Sequence, residues 1–159
     1  MTEFFNHYGH TIVFLHLLSA FIWVGGMIVI RFSVHPIMQT IDDPKIKLGK
    51  TLQIMGKLFN LVLPFIAYLL VSGLIMAIAL NGHHTEQKTL FLTKEIVWTI
   101  MTLNYAYMYI KRRKAYKLFE AGELALAKAQ VANIPNLLLP INIVLGIVAL
   151  WMGVSLRGL

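Results

Sequence analysis

The stretch TIVFLHLLSAFIWVGGMIVI, residues 11–30, runs for twenty positions without one Asp, Glu, Lys or Arg. At the rise of an α-helix it is about 30 Å long, the thickness of a bilayer's hydrocarbon layer. Lipid offers a backbone no hydrogen-bond partner, so such a run must be helix, and the period-2 alternation of a transmembrane barrel is missing. Working outward, residues 58–80, 90–110 and 134–156 form three more mainly apolar runs of membrane-crossing length. The sequence therefore predicts an all-α integral membrane four-helix bundle, a single transmembrane domain over residues 1–159.

Composition agrees. The chain is 58% apolar and 13% charged, where soluble domains run near 45–50% and about 25%, and its mean hydropathy is +0.71. With no cysteine, disulfides, thiolate zinc sites and cysteine nucleophiles are excluded. The net charge of +7 does not read as a nucleic-acid surface, because the basic residues flank hydrophobic runs. Of 14 Lys and Arg, residues 31–57 hold five and residues 111–128 hold six, leaving Lys88, Lys94 and Arg157. The positive-inside rule then predicts a multi-pass protein of the inner (cytoplasmic) membrane, embedded in lipid, with both basic segments inside and both termini outside. The opening MTEFFNHYGH has neither a positive n-region nor a small-residue cleavage site, so the first run is expected to stay.

The connections carry local signals. Asp43-Pro44 pairs a capping acid with the imino acid favoured at the first helical position, predicting a helix start ahead of the second run. Residues 111–114 look like a prolongation of the third helix, with Gly122 as its break, and Asn81-Gly82 signals a turn.

Polar groups inside spans are costly and are seldom retained without use. Two stand out, His16 and Lys94. From run starts at residues 11 and 90 they lie about 7.5 Å and about 6 Å deep, both from the outer face. On their helical faces follow Trp23 and Gly26 in the first case, and Trp98, Met101 and Tyr105 in the second. On the fourth run Asn142, Gly146, Ala149 and Gly153 make a small-residue seam suited to close helix approach. His16 has three readings: a buried neutral imidazole, a proton carrier, or an axial ligand of haem b in an aromatic-lined bundle core. The later runs contain no histidine, so a second axial ligand would be Lys94 or a methionine such as Met101 unless a loop histidine folds inward. Lys94 has readings of its own: snorkelling to headgroups, ligating iron as the free amine, or pairing with a haem propionate. His7, His10, His83 and His84 lie on the outer side, where imidazoles suit copper.

The strings HLLSAFIWVGG at residues 16–26 and TKEIVWTIMTLNYAYMYIKRR from Thr93 resemble the small four-helix membrane proteins of the copper-resistance protein D type. The spacing of His16, Trp23 and Gly26 is also similar to that of the HemJ-type protoporphyrinogen oxidases. That resemblance covers roughly residues 10–110 and implies haem b, with His16 and Lys94 at the positions of the family's first-helix histidine and third-helix lysine. After the glycine this chain reads MIVIRFSVHP, with Arg31 and His35 displaced in register from the oxidase pattern. The expectation is a haem b-binding membrane redox protein, carrying electrons or oxidising a small membrane-soluble reductant. Its pocket would be walled by Trp23, Trp98 and Tyr105. Protoporphyrinogen IX oxidation and copper uptake or handling are the alternatives, and a homodimer suits the little surface that a small bundle buries.

Overall fold

The computed structural model describes residues 2–79 and 88–156, and among these every element is helical. In order they are α1 (Thr2–Val29), a π-helical turn (Ile30–Val34), α2 (His35–Gln39), α3 (Pro44–Ala79), α4 (Lys88–Glu120), α5 (Leu124–Val131), a second π-helical turn (Ile134–Leu138) and α6 (Leu139–Ser155). The first helix begins at Thr2, ahead of the expected residue 11. The Asn81-Gly82 turn lies outside the described residues.

Each boundary has a local cause. Asp43 Oδ1 accepts the backbone N–H groups of Lys45 at 2.8 Å and Ile46 at 2.9 Å, and Pro44 opens α3 as the sequence predicts. α4 ends where Gly122 takes a φ of +84°, with Glu123 N–H reaching Leu118 O at 2.9 Å and Gly122 N–H reaching Phe119 O at 3.1 Å. That is a Schellman closure, which glycine makes without steric cost. Both π-helical turns precede a proline. A proline has no N–H to give and its ring crowds the carbonyl four residues back. Before Pro36, His35 N–H bonds Ile30 O, and before Pro140, Leu139 N–H bonds Ile134 O, each five residues back instead of four.

α1 packs on α3, α3 on α4, α4 on α6 and α6 back on α1, so the four long helices close a ring, and α5 lies against α4. The outside of the ring is apolar, with Phe21 71% and Trp151 66% exposed, while Ser19, Ser72 and Asn142 are buried within it. A water-soluble bundle would have the opposite polarity. The helical stretches His7–Gln39, Pro44–Ala79 and Leu124–Ser155 are each long and apolar enough to cross a membrane. The chain is an all-α membrane bundle. The third expected span, residues 90–110, lies within α4, which has 33 residues but is not among the stretches that qualify. Lys94, Glu95 and Asn104 dilute its apolarity, and α4 completes the ring between α3 and α6.

The expected seam on α6 is a close crossing. A Cβ on Gly146 would sit 2.5 Å from Val24 Cγ2 and 3.2 Å from Met101 Cε, so only glycine lets α1 and α4 come this near. One turn away, Asn142 is 0% exposed and donates to Met101 O at 3.1 Å. Asn104 Nδ2 donates to Asn142 Oδ1 at 2.8 Å and to Leu138 O at 2.9 Å. At the basic end, Arg112 Nε donates to Leu52 O at 2.9 Å, and its guanidinium fills the space that a side chain at Gly56 would need. The crossing predicts that Gly146→Ala destabilises the bundle by about 1–3 kcal/mol in detergent unfolding, through overpacking. Gly25→Ala, whose added Cβ meets nothing within 4 Å, is expected to be neutral or to stabilise by up to about 1 kcal/mol. Equal effects of the two would contradict the packing.

Candidate functional site

The four long helices bring their chemistry together at the end opposite the basic segments. His16 of α1 is half-buried, and its Nδ1 lies 2.8 Å from Ser72 Oγ of α3. Ser72 is buried, and its one hydroxyl proton is committed to Tyr68 O at 2.6 Å in the turn below. The oxygen is therefore the acceptor toward the imidazole, and His16 Nδ1–H donates. A neutral imidazole held in this tautomer leaves Nε2 with a free lone pair, the arrangement that second-shell partners impose on metal-ligating histidines.

Lys94 of α4 arrives at the same end, with its Nζ against Gly153 of α6. Two glycines border these side chains, and the one beside Lys94 is the tighter fit. A Cβ on Gly153 of α6 would lie 3.2 Å from Lys94 Nζ, and one on Gly73 of α3 would lie 3.8 Å from His16 Cε1. All four helices thus contribute, two with side chains that carry chemistry and two with the residues that make room or hold a ring.

The other expected residues divide. Trp98 lies one turn below Lys94 and is half-buried. Trp23 is deeper, only 2% exposed, and packs edge-on to Tyr105 with ring centroids 6.0 Å apart. The indole N–H groups of both tryptophans are buried without a hydrogen-bond partner. Tyr105 is a strut of the core, since its hydroxyl donates to Phe59 O at 2.5 Å and its ring meets Phe59 at 5.5 Å. Met101 is buried with its methyl toward Gly146, at the α4–α6 crossing. His7 and His10 are exposed at the start of α1, with the His7 ring edge-on to Tyr8 at 4.5 Å. His83 and His84 lie outside the described residues. Among the described residues no group of three or more His, Asp or Glu gathers as a metal cluster.

Gly73 gave no sign in the sequence, and Ser72, which shares a helical face with Pro64, Tyr68 and Met76, reads there as packing and not as a partner of His16. A serine in an apolar run is a weak signal, and its pairing with His16 spans 56 positions. Asn104 gave a plainer sign, a carboxamide within a membrane-length run.

Haem b is implied by the resemblance, and the donor set fits it. An imidazole with its lone pair free, a lysine that can ligate or pair with a carboxylate, and two unpartnered indole N–H groups suit such a group. Cavities of about 370 Å³ and about 230 Å³ open elsewhere, at the basic end and between α4 and the second π-helical turn. Neither chamber is lined by His16 or Lys94.

If Ser72 positions the ring, a double-mutant cycle of His16→Ala and Ser72→Ala in detergent unfolding should give a coupling of about 0.6–1.7 kcal/mol, the range of interhelical hydrogen bonds in membranes. Strict additivity would remove the bond from the account. Comparison with protein-family models, with curated proteins and with solved structures finds no match to this chain.

Proposed function

We propose that this chain is a haem b-binding membrane redox protein of the inner (cytoplasmic) membrane, multi-pass with both ends outside. Its role is electron transfer or oxidation of a small membrane-soluble reductant. One observation carries the reading: the His16–Ser72 bond leaves Nε2 as a free lone pair at the end where Lys94 also arrives, against Gly153. When bound, haem b supplies a one-electron couple whose potential follows ligand identity and burial. Ser72 fixes the imidazole plane and keeps the proton on Nδ1, so that Nε2 is the atom offered. Lys94 would help to hold the group in one of two protonation states: as the amine it could bind the iron, and as the ammonium it could pair with a carboxylate of the group. Trp23 and Trp98 offer indole N–H donors and bulk that excludes water from the site.

Purified from haem-competent cells, the protein is expected to show a b-type band in its reduced-minus-oxidised spectrum. The band should be lost in His16→Ala and shifted or weakened in Lys94→Ala, and Ser72→Ala should lower haem affinity about 10–100-fold. A colourless preparation rejects the reading. Complementation of a strain lacking protoporphyrinogen oxidase separates the enzyme from an electron carrier. A second reading, copper uptake or handling, draws support from His7 and His10 standing exposed one turn apart on α1. It requires stoichiometric copper whose affinity changes when either histidine is replaced.

A further inference from the structure

The cavity of about 370 Å³ at the basic end lies far from His16 and is walled by both π-helical turns. Ile30 and Val34 come from the first, Pro135 from the second, and Leu139 directly follows it. Prolines shape these walls: the turns form where Pro36 and Pro140 force a bond five residues back. Pro135 and Pro140 bring no N–H for the carbonyls of Val131 and Asn136, two residues that also line the cavity. The volume falls within the range of small-molecule sites, about 300–1,000 Å³.

The lining sorts by chemistry. Its floor is aliphatic and thioether, and its polar members include Lys47 of α3, Lys128 of α5 and Asn136, with no acidic residue among the lining side chains. Lys47 is held in place by donating from Nζ to Gln39 O at 3.1 Å. Two cations from separate helices therefore face one apolar chamber at the level where the long apolar stretches of α1 and α6 give way to basic segments. A phosphate head with acyl chains has that same division, anionic at one end and apolar at the other.

We propose that this cavity is a binding site for the phosphate headgroup and upper acyl chain of an anionic glycerophospholipid. The head lies between Lys47 and Lys128 and the chain on the floor made by Ile30, Val34 and Leu139. The site is independent of any redox cofactor at the His16 end. It also gives α5, which packs chiefly on α4, a ligand-mediated tie to α3.

Native mass spectrometry of the detergent-solubilised protein, with phosphatidylglycerol, phosphatidylcholine or inorganic phosphate added, tests this. Phosphatidylglycerol should be retained at one molecule per chain in preference to phosphatidylcholine. Its affinity should fall about fivefold for Lys47→Gln and again for Lys128→Gln. Lys45→Gln and Lys114→Gln, exposed lysines that do not line the cavity, should leave it unchanged. Ala132→Phe, which fills the chamber without altering charge, should also abolish retention. Equal losses from all four lysine changes would reduce the effect to a diffuse basic surface and overturn the site. So would retention that survives Ala132→Phe, or binding of inorganic phosphate as tight as that of the lipid.

Discussion

In lipid, a polar side chain that leaves water must be met by another helix, and this requirement organises the bundle. Asn142 shows it most plainly. Fully buried on α6, it holds the Met101 carbonyl and is held by Asn104. Its neighbour Gly146 brings the helices close enough for those bonds to form. The register set at this crossing fixes the rest of α6 against α4, and hence where Gly153 meets Lys94. The His16–Ser72 bond does the same between α1 and α3. Each pairing satisfies groups that lipid would leave bare, so folding and the assembly of the site are one process.

The two ends of the molecule are built differently. At one end, Gly153 makes room for an amine and Ser72 holds an imidazole. At the other, α3 and α4 run on beyond the length a bilayer needs, about 54 Å and about 50 Å for helices of 36 and 33 residues. There they carry α5, with Lys111 donating to Gln130 at 3.2 Å and Arg112 stacked over Tyr116 at 4.8 Å. The prolines that shape the π-helical turns belong to this second end, and so does the cavity they enclose.

Much of the fold was legible because its causes are local. A twenty-residue run without Asp, Glu, Lys or Arg, an Asp-Pro pair and a glycine after a basic helix act within a turn or two, and the structure follows each of them. The small-residue seam on α6 was readable from periodicity. What escaped was register. That Ser72 would meet His16, or that Asn104 would reach Asn142, depends on how far one helix slides along another, and neither run encodes that by itself. The π-helical turns lay in plain view as prolines near the ends of membrane-length runs, yet a proline signals a disturbed helix without saying whether it breaks, kinks or widens. α4 is the instructive middle case. Its length suits a span, but the polar residues that let it close the ring and bear Lys94 also take it out of the apolar range in which a span is recognised by composition alone.

Central to the account is a tautomer: the imidazole of His16 carries its proton on Nδ1, toward Ser72, and offers Nε2. Solid-state nitrogen NMR of ¹⁵N-histidine-labelled, cofactor-free protein in bilayers reads this directly, with the His16→Ala variant identifying the resonances. The account predicts a protonated, hydrogen-bonded Nδ1 and an unprotonated Nε2 for that residue, with the pattern disturbed in Ser72→Ala. A His16 protonated on Nε2 alone, or a spectrum indifferent to Ser72, would contradict it.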